Sequence, residues 1–462
     1  RWSSNRIGNC GVIGFVTNAG FIEANAADGL RQCLAEEFSN LYIFHLRGNQ
    51  RTSGERSRKE GGKIFGSGSR APIAISILIK NPEAKVRGNI YFHDIGDYLT
   101  REQKLKTIAD FGSIEGITKR KGWQEIEPDQ FGDWLNQRDP NFDAYMALGD
   151  RNNQSVIYRY DTYSSGIKSN RDAWVYNFSH SKLANNMTGF IDFYETQIDK
   201  KTDDVNYLKD FNARRISWDS TLNNRFIKSQ KESFDVKNIE NALYRPFTKT
   251  RIYHSRFYNN TVGYIHKFFP TKDRDNLVIC LTGRGATKEF SALITNVIPD
   301  LEMISKGQCF PLYLYEKTIP STSLFNQESE SEGYQRRDAI TDKALAHFQS
   351  AYPQARLSKE DIFYYIYGLL HSADYRVRYA DNLSKQLPRI PRVKTAADFK
   401  AFSQAGRDLA HLHLNYETMP MHTSVRLTGS LKYLKVTEQK VLGGEDKDFY
   451  VTKMKFGKKR DP

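Results

Sequence analysis

Cysteine is scarce in this chain. Its 462 residues include only Cys10, Cys33, Cys280 and Cys309, with no C-x-x-C pair, which excludes a disulfide framework and a cysteine zinc site and suits a reducing, cytoplasmic compartment. Long apolar runs are also missing. The stretch from Ala71 to Ile79 is among the longest, about half of the roughly 20 residues a membrane helix needs, so no membrane partner is expected. Gly66-Ser67-Gly68 and Gly283-Arg284-Gly285 do not complete the G-x-x-x-x-G-K-[ST] phosphate loop. The acid-x-Lys triplets Glu83-Ala84-Lys85 and Glu445-Asp446-Lys447 are of the kind that arise by chance in a chain 26% charged. The ten histidines are scattered, and His411 and His413 are too close for one helix face and lack carboxylate partners, so no metal site is expected.

What is abundant is positive charge. Sixty-eight Lys and Arg against 54 Asp and Glu give a formal charge of +14, an excess that favours polyanions, nucleic acid above all. Hydrophobic residues at 39% and aromatic residues at 13% describe a folded chain, long enough for two to four domains.

Gly11 to Val16 is an almost unbroken apolar run, the pattern of a strand buried on both faces of a parallel sheet. Asp28 to Phe38 has helical spacing at Leu30, Cys33, Leu34 and Phe38, and Leu41–Phe44 and Ile73–Ile79 read as further strands around a Gly/Ser/Arg loop from Gly48 to Arg70. This order predicts the second half of an open α/β sheet over residues 1–84, then a connector over 85–150. Short aromatic and β-branched runs predict a mixed α+β domain over 151–326, and Gln327 to Arg337 reads as a linker. Residues 338–462 read as helices followed by a hairpin, with Ser358 and Asp361 capping one helix, Ala396–His411 forming another, and Val425–Lys455 turning at Gly443-Gly444. The opening Arg1–Gly8 reads as a helix end running into a strand, so a fragment of a longer polypeptide is expected.

The Gly48–Arg70 loop carries Arg51, Arg56, Arg58, Lys59, Lys63 and Arg70, with Arg47 adjoining, against Glu55 and Glu60. Guanidinium groups at a sheet's end can hold phosphates, and a solvated surface loop is the competing reading. Tyr364, Tyr365, Tyr367, Tyr375 and Tyr379 crowd one segment; core packing explains them better than base stacking does.

Taken in order, Gly11–Phe21, Phe44–Asn49 and Lys63–Ala74 resemble the later motifs of an N6-adenine DNA methyltransferase. With Asn170–Asn177, Tyr244-Arg245-Pro246-Phe247, Gly307–Pro311 and Asp361–His371, the set resembles the single-polypeptide Type I (Type ISP) restriction-modification enzymes along essentially the whole chain. The resemblance implies the end of a Rossmann-like methyltransferase sheet, then an α+β target-recognition domain with a helical C-terminal segment. In that family nuclease, ATPase and methyltransferase regions of the same polypeptide come first. No Asn-Pro-Pro occurs in these 462 residues, so the catalytic motif and the glycine-rich S-adenosylmethionine loop are expected upstream. This chain alone should bind no cofactor and be inactive, while the full enzyme would use S-adenosylmethionine, ATP and Mg.

By match to the family's later motifs, Phe65 would stack on an extruded adenine, with Asn18 and Arg47 lining the same cleft. The rest of the chain would read duplex DNA through base edges and phosphates. The DNA-binding candidates are Arg51, Arg56, Arg58, Lys59, Arg70, Lys119, Arg120, Lys121, Lys168, Arg171, Arg214, Arg215, Lys249, Arg251, Arg256 and Arg284. The alternative is a structural coupler between enzyme domains that touches DNA without specificity.

Overall fold

The structure is a computed structural model. It describes residues 2–52, 54–66, 68–201, 212–286, 288–317, 333–420 and 422–424, with the backbone of 437–439 and 448–450. They form two compact units, one of Arg1–Ala144, Arg284–Phe290 and Arg376–Pro388, the other of Tyr145–Gly283, Ser291–Tyr375 and Arg389–Pro462. No helix among the described residues is long and apolar enough to cross a membrane.

Unit 1 is built on β1 (Gly11–Asn18), β2 (Asn40–Arg47), β3 (Ile73–Lys80), β4 (Asn89–Asp94) and β5 (Gln124–Ile126), in the order β1-β3-β2-β4-β5. Successive strand residues point to opposite faces. Leu41, Ile43, Ala74, Leu78, Ile90 and Phe92 therefore form one core, while Phe44, Leu46 and Ile73 form another. Helix α1 (Asp28–Glu37) contributes Leu34 to the first core; Ile108 and Phe111 of α3 (Arg101–Phe111) and Ile117 of α4 (Ile114–Lys119) pack into the second.

Three expectations differ here. β1 is an edge strand, antiparallel to β3, and Val12, Phe15 and Val16 stay 61%, 40% and 56% exposed; having one strand neighbour, it is not the strand buried on both faces that its apolar run suggested. On α1, Leu30 and Cys33 are exposed and the buried residue is Arg31. Its guanidinium bonds Asp133 at 2.8 Å and the carbonyls of Phe21, Ala24 and Gly132. Finally, β4 and β5 lie within the stretch read as a connector, yet β4 runs parallel to β2 and continues the sheet.

The Asp133 carboxylate also meets Lys385 Nζ at 2.9 Å and Arg138 Nε at 3.1 Å. Lys385 closes a short helix, Ala380–Lys385, whose Asn382 side chain pairs with the backbone of Asp139. A segment far along the chain is thus stitched into unit 1 by buried polar groups.

Unit 2 comprises several small sheets. One joins β14 (Ile298–Pro299), β10 (Ile239–Arg245), β11 (Thr248–Tyr253) and β9 (Tyr176–Asn177); another joins β13 (Ala292–Thr295), β12 (Val278–Leu281), β15 (Gln308–Pro311) and β8 (Ser164–Ser165). A third contains β6 (Met146–Gly149), β7 (Val156–Tyr158) and β18 (Arg389–Ile390). Helices α5 (His180–Asp199) and α6 (Ser220–Ile227) begin at side-chain caps from Ser179 and Asp219. β16 (Tyr313–Lys317) pairs with β17 (Tyr334–Asp338) in register from Tyr313↔Asp338 to Lys317↔Tyr334. The end of the polar stretch read as a linker, residues 334–337, therefore lies in a strand antiparallel to β16, held in part by Arg337 on Glu316 at 2.8 Å; its residues 327–332 lie outside the described residues.

The helical part follows its periodicity closely. α7 (Asp342–Ala351) precedes α8 (Lys359–Leu370), which starts at the expected Ser358–Asp361 capping box, and α9 (Ala396–Leu414) packs on α8. Glycine makes that crossing close: a Cβ on Gly406 would lie 2.0 Å from the carbonyl oxygen of Tyr364. Tyr365, Tyr367, Tyr375 and Tyr379 are all buried, which confirms core packing. β19 (Thr437–Gln439) and β20 (Asp448–Tyr450) pair antiparallel; the expected turn at Gly443-Gly444 and the Glu445-Asp446-Lys447 triplet lie outside the described residues.

Candidate nucleic-acid interface

Sheet register brings part of the expected base pocket to one end of unit 1. Asn18 closes β1 opposite Ile73, and Arg47, past a bulge at the end of β2, is paired with the same Ile73. Phe65, in the loop leading to β3, is 47% exposed, so it is not the core phenylalanine its strand-edge position would equally allow. The polar pair is already engaged. Asn18 Oδ1 accepts the Gly20 N–H at 2.8 Å, and Arg47 Nε donates to Asp94 at 2.7 Å while its Nη1 bonds Asp97. Burial alone would raise the Asp94 carboxyl; bonds from His45, the Gly96 amide and Arg47 outweigh it and hold the group at about 2.

The Gly48–Arg70 segment is not wholly loop, since it contains the short helix α2 (Gly54–Glu60). Its end is fastened from below: buried Lys104 donates to the carbonyls of Glu60 at 2.7 Å and Gly62 at 2.9 Å, and desolvation pulls its ammonium down to about 8. Gly61 is required at φ +66°, where a Cβ would lie 2.2 Å from the Leu99 carbonyl oxygen. The anchored base leaves the cations outward. Arg51, Arg56, Arg58, Lys59 and Arg70 are exposed; Arg58 is paired with Glu55 at 2.5 Å and Lys59 lies 3.9 Å from Asp97. Arg56 is 4.0 Å from Glu23, and Arg70 donates to the Gln50 carbonyl.

Among the unit 2 candidates the structure makes a clear correction. Arg171 is buried, paired with Asp219 at 2.9 Å and bonded to the Tyr258 carbonyl; a guanidinium enclosed in this way cannot reach DNA. Lys249 is half-buried and committed to Glu417 at 2.9 Å and the Leu414 carbonyl, and Arg251 bonds the Phe178 carbonyl. By contrast Lys168, Arg214, Arg215 and Arg256 are exposed, as are Lys119, Arg120, Lys121 and Arg284 of unit 1. Lys119 pairs with Glu115 at 2.8 Å, Arg120 lies over the Phe111 ring and Arg215 over Phe193.

Two motifs distant in sequence meet in unit 2. Tyr244 donates to Asp172 at 2.8 Å and lies under the Arg245 guanidinium, 3.8 Å from it. Arg245 and Tyr176 both reach Asp300 at 2.8 Å. Burial raises the Asp300 carboxyl to about 6 despite these bonds. Arg245 also donates to the Tyr244 carbonyl and lies 3.9 Å from Asp172, and the two side chains remain 38% and 43% exposed, so a guanidinium and a carboxylate stand paired on a fixed support. Sequence reasoning missed this pairing because no local pattern links positions 172, 245 and 300. It also missed Arg225, Lys228 and Lys231 near the end of α6; the Asp219 cap followed by those cations was the available signal.

No three His, Cys, Asp or Glu side chains among the described residues are placed to hold a metal ion. Comparison with protein families matches residues 159–462 to the Type ISP C-terminal specificity domain. Comparison with curated proteins gave no match. Among solved structures, the chain is similar to a nuclease-deletion mutant of the Type ISP restriction-modification enzyme LlaGI in complex with a DNA substrate mimic, at 39% identity and TM-score 0.79, over 95% of this chain and 32% of that one. It is similar to the ATP-dependent Type ISP enzyme LlaBIII bound to DNA, at 35% identity and TM-score 0.78, over 92% of this chain and 26% of that one. The DrdV–DNA complex matches at 30% identity and TM-score 0.75, over 91% of this chain and 39% of that one.

Proposed function

Because this chain belongs to the Type ISP restriction-modification family, through its C-terminal specificity domain, we propose that it reads the base sequence of duplex DNA for a longer, cytoplasmic polypeptide. That polypeptide would methylate adenine N6 and cleave unmodified DNA, with its nuclease, ATPase and methyltransferase regions lying upstream. The observation that carries the proposal is the likeness of nearly the whole chain, at 30–39% identity, to proteins solved with DNA or a DNA substrate mimic.

In this reading the work divides between positioning and discrimination. Exposed cations fix register on phosphates, and side chains held in fixed geometry read base edges. Asp172 and Arg245 suit discrimination, since Arg donates to guanine and a carboxylate accepts from cytosine N4, provided their orientation is preset. The stacking of Arg245 on Tyr244 and the bond from Tyr244 to Asp172 supply that support. In unit 1, exposed Phe65 is available to hold a flipped adenine.

The methyl donor belongs to the longer polypeptide. Calorimetric titration of the chain with S-adenosylmethionine is expected to show no heat of binding, and micromolar affinity would overturn that part. The reading function itself is tested by selection from a random duplex pool at about physiological salt. Enrichment of one asymmetric motif is expected; an unenriched pool from a folded chain would leave the coupler reading. The whole chain is needed, because a cut near residue 150 separates Lys385 from Asp133.

A further inference from the structure

Beside the end of α6 lies an open cavity of about 620 Å³ whose lining contains three cations, Arg225, Lys228 and Lys231, and no carboxylate. Neutral donors complete it in Asn224 and Gln230. Arg225 is fixed in place, its guanidinium 4.2 Å from the Phe257 ring and its Nη2 donating to the Arg256 carbonyl at 2.6 Å. Its Nε and Nη1 have no acceptor among the described residues, and Lys228 makes no ion pair there. Lys231 shares its charge with Asp199, which is 66% exposed.

Helix ends attract cations to their free carbonyls, and that is the obvious structural use for such residues. Here another residue performs it. Lys201 Nζ donates to the Ile227 carbonyl at 2.5 Å and to Ser229 Oγ at 3.1 Å, so the last turn of α6 does not need Arg225 or Lys228. We propose that this cavity is a subsite for the sugar–phosphate backbone of duplex DNA, occupied by consecutive phosphates and indifferent to base identity. The inference rests on the DNA-reading function. The chemistry selects the backbone over a base: the one ring lining the cavity, Phe257, is buried with a guanidinium over its face, and no side-chain carboxylate is present to accept from a base amine.

The test measures binding of the 462-residue chain to a labelled duplex of the selected motif and to a scrambled duplex, across roughly 50 to 200 mM salt. K228Q/K231Q leaves the Arg225 stack untouched, and R225Q is the second variant. Each lost phosphate contact should lower the slope of log affinity on log salt by about 0.9, so the double variant should lose nearly 2, equally on both duplexes. An unchanged slope in variants that melt like the parent overturns the subsite. So does displacement of duplex by millimolar inorganic phosphate at constant ionic strength, which reassigns the cavity to a free anion. If the parent selects no motif, it is the reading function that fails; if it selects one and the variants keep the parental slope, the cavity assignment alone fails.

Discussion

Both units must satisfy buried backbone carbonyls, and the donors differ in balance rather than in kind, since buried Arg171 of unit 2 also pairs with a carboxylate, Asp219, and donates to the Tyr258 carbonyl. In unit 1 the donors include cations: Arg31 holds the carbonyls of Phe21, Ala24 and Gly132, Lys104 those of Glu60 and Gly62, and Lys385 that of Leu135 at 3.2 Å. In unit 2 phenols recur in this role. Tyr315, Tyr352, Tyr365 and Tyr375 donate to the carbonyls of Asp275, Val393, Pro391 and Arg389 at 2.6 to 2.7 Å. A phenol buries a large apolar body and brings one donor without charge, whereas a buried cation requires a counter-ion and good geometry. Unit 1 spends part of its positive charge on its own core, and in unit 2 Arg214, Lys228 and Arg256 are exposed while Arg225 is half-buried.

Asp133→Asn strikes this contrast hardest, because it leaves Arg31 and Lys385 buried without their carboxylate. A loss of about 3–5 kcal/mol is expected, read by urea unfolding with a probe in unit 1. A loss below about 1 kcal/mol would mean that the cations are not structural. Next in size is the pH response of Lys104. In the folded chain its ammonium titrates at about 8, below the ordinary lysine value of 10.5, so the unfolded chain binds the extra proton and stability should rise between about pH 8 and 10.5. Since each tenfold change in proton affinity is about 1.36 kcal/mol, the full effect is about 3 kcal/mol. It appears as the difference between the parent and Lys104→Met; parallel curves for the two would contradict it.

Tyr365→Phe removes one donor from the Pro391 carbonyl and should cost about 1–3 kcal/mol with no change in pH profile, since the phenol carries no charge at working pH. A pH-dependent loss would erase the distinction between the units. Smallest in stability is R51A/R56A/R58A, expected to stay within about 0.5 kcal/mol because these side chains are exposed. Its effect belongs to binding: weaker affinity for every duplex and a flatter salt dependence. An unchanged salt slope would assign the segment to plain solvated surface.

How much could be read from the sequence depended on how local each cause was. β2, β3, α8 and α9 follow from periodicity and from the Ser358 cap, all within a few residues. The tyrosine cluster resolved as core through contacts such as Tyr365 on Phe399 of α9, 4.6 Å between ring centres; the apolar face of α8 was legible in its spacing, the partner across it was not. The burial of Arg171 and the ion pair of Lys249 were not legible because their partners, Asp219 and Glu417, lie 48 and 168 residues away. Nothing local distinguishes a basic residue with a distant carboxylate from one facing solvent. The same holds for the entry of Ala380–Lys385 into unit 1, which no shift in composition announces. β1 misled in the opposite way, since its apolar pattern called for cover on both faces and only Ile13 of the strand is buried.

Whether this chain discriminates among sequences is decided by affinity ratios under increasing salt. Duplex of the selected motif and scrambled duplex are titrated in parallel from roughly 50 to 200 mM salt. Phosphate contacts weaken on both, whereas each good base-edge pair contributes about 1–3 kcal/mol of discrimination independent of counterion release. Absolute affinities are expected to fall steeply while the ratio between the two duplexes holds at about tenfold or more, about 1.4 kcal/mol. Two affinities that fall together to a ratio of one would contradict sequence reading by this chain.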